Sequence, residues 1–108
     1  MRFNSFLTAL ERDVEQATAL TMKKGTDSHA RPYITIHNAQ GVALVEISYT
    51  TNGYGKAMRI IRLRRDDGSW YTNCSTGKNM AKGIVVYLTR YTQLPNALLV
   101  LKKGGVYL

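Results

Sequence analysis

The sequence predicts an α+β fold: an antiparallel β-meander of four to five strands, with an N-terminal helix and a C-terminal-half helix packed on one face. Three observations carry this. Apolar residues recur at helical steps through 5–22. Four short alternating runs between residues 33 and 74 are joined by turn residues. A second segment of helical period spans 77–93. At 108 residues the chain reads as a single domain, 1–108, large enough to bury one core without disulfides.

In chain order, Asn4 or Ser5 suits an N-cap, with Phe3 before it as a hydrophobic staple. Phe6, Leu7, Leu10, Val14, Ala17 and Leu20 then make one apolar stripe. Lys23 and Lys24 fit a last turn and Gly25 a stop, leaving 25–32 as a polar connector. Residues 33–38 alternate, with Ile34 and Ile36 on one side and Tyr33, Thr35 and His37 on the other. After a turn at 39–41, residues 42–51 set Ala43, Val45, Ile47 and Tyr49 against Glu46 and Ser48. Asn52-Gly53-Tyr54-Gly55 reads as a hairpin connection into a third strand, 56–65. Asp66-Asp67-Gly68 turns that strand into a fourth, 69–74.

Beyond Cys74, Met80, Ile84, Tyr87, Leu88, Tyr91 and Leu94 share one helical arc, opposite Lys78, Lys82, Thr89 and Gln93. Ser75 or Thr76 is a candidate cap. Gly83 and the run Ile84-Val85-Val86 favour a strand, but the length of the periodic segment decides for helix. Pro95 should stop it, with 98–103 as a further strand and 106–108 as a short return. The expected core is Leu10, Val14, Ile34, Ile36, Val45, Ile47, Ile61, Leu63, Ile84 and Tyr87.

Composition narrows the functional classes. Hydrophobic residues at 44% and charged residues at 20% are ordinary usage, which excludes a disordered or collagen-like chain. The apolar runs 83–88 and 97–101 are too short to cross a bilayer, so no membrane partner is expected. Residues 2–10 faintly imitate a secretion signal, but Glu11, Asp13 and Glu15 follow where a cleavage site should be. The lone Cys74 fits a reducing, cytoplasmic setting. It reads as a small buried hydrophobe.

Charge is uneven. Lys and Arg total 15 against 7 acids. Residues 1–55 carry five of each sign, whereas residues 56–108 carry ten bases and only Asp66 and Asp67. A field of this kind attracts polyanions, nucleic acid above all. Its centre is the third strand, where Arg59, Arg62, Arg64 and Arg65 interleave with Ile60, Ile61 and Leu63. Alternation puts Arg62 and Arg64 together on the face opposite Ile61 and Leu63, where both should be exposed. Arginine suits planar contacts with phosphate and bases, whereas an edge strand charged only against aggregation usually carries lysine. Tyr54, at a glycine-flanked tip beside Lys56, is the leading candidate for stacking. Tyr33 and His37 share a strand face and could add to such a platform, while Trp70, Tyr71, Tyr87 and Tyr91 read as core or core edge. Lys78 and Lys82 would share one exposed helical face near a helix start.

Catalytic signals are weak. His29 and His37 have no carboxylate at metal-site spacing, Glu46 stands alone, and Asp66-Asp67 occupy a turn. Thr76-Gly77-Lys78-Asn79 lacks the earlier glycine and the hydroxyl of a phosphate-binding loop. A metal-free ribonuclease site would need His37, Tyr49 and arginines to meet across the fold. The expectation is therefore no enzyme, no metal and no cofactor.

Two partial resemblances appear. Lys78-Asn79-Met80-Ala81-Lys82 followed by Ile84-Val85-Val86 resembles the basic start of the second helix of double-stranded-RNA-binding domains, as does the order helix, meander, helix. That resemblance implies Lys78 and Lys82 on phosphates across a major groove. Lys82-Gly83-Ile84 with Tyr91 and Leu94, after Asp67-Gly68 and Trp70, resembles the single-stranded-DNA-binding family called positive cofactor four, which implies a strand at 83–86. Each covers less than half of the chain, and neither identifies a family.

The expected function is a small non-enzymatic basic protein that binds DNA or RNA through backbone and shape, with little sequence specificity. The surface would comprise Tyr54, Lys56, Arg62, Arg64, Arg65, Lys78 and Lys82. The alternative is a small inhibitor or adaptor, of the kind phages and mobile elements encode, whose arginines and tyrosines meet a protein partner. The sequence is compatible with a homo-oligomer.

Overall fold

In a computed structural model, residues 3–51, 53–73 and 78–103 are described. The elements are α1 (Phe3–Glu15), β1 (Leu20–Thr26), β2 (Pro32–Asn38), β3 (Ala43–Thr51), β4 (Ala57–Arg64), β5 (Trp70–Asn73), α2 (Lys78–Leu88) and α3 (Pro95–Lys102). The strands form one antiparallel sheet in chain order. Register aligns Met22 with Ile36, Ile36 with Val45, Ile47 with Ile61 and Val45 with Leu63. These side chains and Leu20 share one face. The core is built there, together with Phe3, Phe6, Leu10 and Val14 of α1, Met80, Ala81, Ile84, Val85 and Leu88 of α2, and Ala97 of α3. The α+β meander with helices on one face is thus the fold, and no helix among the described residues is long and apolar enough to cross a membrane.

Its ends depart from expectation. The first helix stops at Glu15, and Lys23, Lys24 and Gly25, expected to close it, belong to the edge strand β1. Leu20 continues the helical stripe, but Leu20 and Met22 also alternate with Thr21 and Lys23. Strand pairing with β2 gives Leu20 a buried place that a longer helix would not. Phe3 is no staple outside the helix: it lies within α1, fully buried, its ring 5.5 Å from that of Phe6. The fifth strand therefore lies at the start of the meander, not after Pro95.

At the other end, the segment expected at 77–93 is helical only to Leu88, and 98–103 belongs to a helix instead of a strand. Pro95 occupies the first turn of α3, where its missing N–H costs nothing. Leu94 offers no side-chain cap. The buried Asp13 of α1 supplies one: its carboxylate accepts the backbone N–H of Asn96 at 3.1 Å and of Ala97 at 2.9 Å, and the Asn96 side-chain amide at 2.8 Å. One carboxyl group placed at a helix N-terminus thus satisfies orphan donors and ties α1 to α3. Of the expected core, Ile34, Leu63 and Tyr87 are only partly buried. Cys74, the caps at Ser75 and Thr76, and the return at 106–108 lie outside the described residues.

Candidate nucleic-acid interface

Helices cover one face of the sheet; among the described residues nothing covers the other. Pairing places Lys23, Thr35, Glu46, Arg62 and Thr72 in one row across this open face. Tyr33 and His37 flank Thr35 on β2, and Arg64 sits opposite Trp70 at the β4–β5 end. Arg62 and Arg64 do share a face, as alternation requires.

Their surroundings differ. Arg62 is about half exposed, with a loose pair to Glu46 at 3.6 Å, a geometry that contributes little to stability. Arg64 is half-buried, not exposed as expected. Its Nε donates to the Ala43 carbonyl at 2.6 Å and its NH1 to the Gly68 carbonyl at 2.9 Å. Its guanidinium carbon lies 4.0 Å from the Trp70 ring centroid. A β-bulge between β2 and β3 beside Ala43 shapes this corner. Trp70 is therefore a residue of the open face and not of the core: the strand that carries it alternates Trp70 outward and Tyr71 toward the helical side. Tyr33 is held above its ordinary pKa by burial and then by the neighbouring Glu46. His37 keeps a buried Nδ1 without a hydrogen-bond partner among the described residues.

The other expected residues do not join them. Arg59 faces the helices: its guanidinium sits 4.3 Å from the Phe3 ring, and its Nε donates to the Tyr49 hydroxyl at 2.8 Å. The arginine run is thus split between faces. Tyr49 and His37 lie on opposite faces of the sheet, so the ribonuclease constellation does not assemble. Arg65 reaches toward Tyr71, 5.8 Å from its ring. It borders a cleft of about 280 Å³ with Leu63, Asp66, Tyr71, Tyr87 and Arg90. Arg90 there is paired with Asp66 at 2.7 Å, which raises its pKa.

Tyr54 is 93% exposed at the β3–β4 tip, with the exposed Lys56 beside it. The eight residues of β4 separate Lys56 from Arg65, a distance of about 30 Å along the strand. Lys78 opens α2, and Lys82 lies on the helical layer beside Val85, Val86, Leu98, Leu101 and Lys102. That layer is across the sheet from Arg62. The seven expected residues therefore form no single surface. Helix α2 also runs through 83–86, so the strand implied by the positive cofactor four resemblance is absent. Five strands and a third helix depart from the double-stranded-RNA-binding pattern as well. Compared with known protein families, curated proteins and solved structures, the chain matches none.

Proposed function

We propose that this is a small, non-enzymatic nucleic-acid-binding protein whose open sheet face is the binding surface. One observation carries the reading: Lys23, Arg62 and Arg64 stand among Tyr33, His37 and Trp70 on a face that no helix among the described residues covers. Cations reach phosphates, aromatic rings take base faces, and a half-solvated antiparallel sheet offers both on a rigid support. On this reading recognition is of backbone and shape, with little sequence specificity.

A titration against DNA and RNA over a range of salt tests this. Three phosphate contacts predict a slope of about −2 to −3 on a log–log plot. Using all six cations of the sequence-based surface would give about −4 to −5. Affinity that is flat with salt, or weaker than roughly 100 µM for every nucleic acid, would overturn the proposal.

A second reading, a protein-binding adaptor, draws on the other side. Val86, Leu98 and Leu99 are 62%, 40% and 51% exposed on α2 and α3. Lys82 and Lys102 line the apolar groove of about 270 Å³ between these helices. Such a surface fits a partner with apolar anchors ringed by carboxylates. That reading takes over if no nucleic acid binds.

A further inference from the structure

We infer that the open face takes single-stranded nucleic acid, and that Trp70 backed by Arg64 is the platform on which a base stacks. The inference rests on the nucleic-acid reading above and adds the strandedness of the ligand and the residue that selects it.

Trp70 is the only tryptophan of the chain, and it is partly exposed at the start of an edge strand, on the side away from the core. The ring does not fill the interior. It lies against a guanidinium 4.0 Å away. That guanidinium is tethered by the Ala43 and Gly68 carbonyls, which accept from it at 2.6 and 2.9 Å. The result is a fixed pair of planar groups, one aromatic and one cationic, and both kinds of plane accept an unstacked base. Preorganisation removes the entropy that a free arginine would lose on binding. Arg62 lies two residues along the same strand face, about 7 Å away. A phosphate next to a stacked base falls within its reach.

Geometry argues against a duplex at this site. Base faces in a duplex are already stacked on one another and are not available to an indole. Five strands at about 4.8 Å spacing span about 19 Å, wider than the major groove of about 12 Å. A two-stranded ribbon can enter such a groove, but the ribbon of this fold is the Tyr54 hairpin. It lies at the opposite end of β4 from Trp70. A duplex would therefore have to use a different part of the protein.

Trp70 supplies its own reporter. Short homopyrimidine DNA and RNA strands should quench its fluorescence saturably, and should bind more tightly than duplexes of equal length. Trp70→Ala should weaken single-strand binding by about 5- to 100-fold and leave duplex affinity unchanged, while Trp70→Phe should retain most of it. The wild-type quenching reads the contact directly, even if the alanine variant folds poorly. Equal affinity for single strands and duplexes with unmoved Trp70 emission would overturn the stacking platform and leave a phosphate-binding face. Absence of binding to any of these nucleic acids would overturn the nucleic-acid reading itself.

Discussion

At the scale of single residues, two arginines three positions apart have different tasks. Arg59 points at the helices and is held by Phe3 and the Tyr49 hydroxyl. Arg62 points at solvent with one loose acidic neighbour. Arg59→Ala removes a partly buried cation–π contact and a charge-assisted hydrogen bond, and should cost about 1–3 kcal/mol of stability. Nucleic-acid affinity should not change. Arg62→Ala should change stability by less than about 0.5 kcal/mol yet weaken binding. Urea unfolding and gel-shift titration of both variants check the pair, and a binding defect in Arg59→Ala without a stability defect would contradict the assignment. Arg64 is unsuited to such a separation. Its three contacts tie β3, β4 and β5 together, so its removal should disturb fold and binding at once.

Among elements, α3 depends on a group that lies far away in sequence. Asp13 accepts from the first turn of α3 with both carboxylate oxygens, and it is 4% exposed. Asp13→Ala leaves one buried and one partly buried N–H group unpaired and should cost about 2–4 kcal/mol. In a domain of about this size that lowers the melting temperature by roughly 10 °C or more. Thermal unfolding followed by circular dichroism measures it, and a change of a degree or two would show that water replaces the carboxylate. The edge strand β1 is the other element with a distant cause. Its pairing partner β2 and the Asp27 turn between them decide its conformation, with the Asp27 carboxylate accepting from the backbone of His29 and Arg31 at 2.8 and 3.0 Å. The Arg31 backbone bond is the main cause that holds Asp27 below the ordinary aspartate pKa.

Across the whole molecule, the packed core lies on one face of the sheet and the proposed binding surface on the other, and alkaline pH acts on the packed one through Tyr87. Burial, and next the neighbouring Tyr91, push the Tyr87 hydroxyl up to about 12. This hydroxyl donates to the Arg64 carbonyl at 2.6 Å, joining α2 to the end of β4. An unfolded tyrosine ionises near pH 10, so between about 10 and 12 the folded chain keeps a proton that the unfolded chain loses. The stabilisation is complete below about pH 10 and disappears as pH rises through about 12. Tyr87→Phe should therefore flatten the fall of the urea midpoint over this window. An identical alkaline decline in the variant would place the responsible group elsewhere.

How much of this was legible in the sequence follows from the range of the forces involved. Alternation and turn chemistry act over a few residues, so β2 to β5, the hairpins at Gly41 and Gly68, and the shared face of Arg62 and Arg64 can all be read directly. The helical stripe through Phe6, Leu10 and Val14 is equally local. Residues 20–26 satisfy both periods, and only pairing with β2 selects the strand. Leu94, Ala97, Leu98 and Leu101 carry a helical spacing that Pro95 obscured, because proline both ends and begins helices. The candidate site divides in the same way. By itself the sequence determined an α+β meander with an arginine-rich strand. Only the tertiary structure decided that Arg59 turns inward, that Arg64 is locked against Trp70, and that Lys82 and Tyr54 lie away from that face. Each of these depends on which residues of other strands and helices stand opposite, and such contacts across the fold leave no period in the chain.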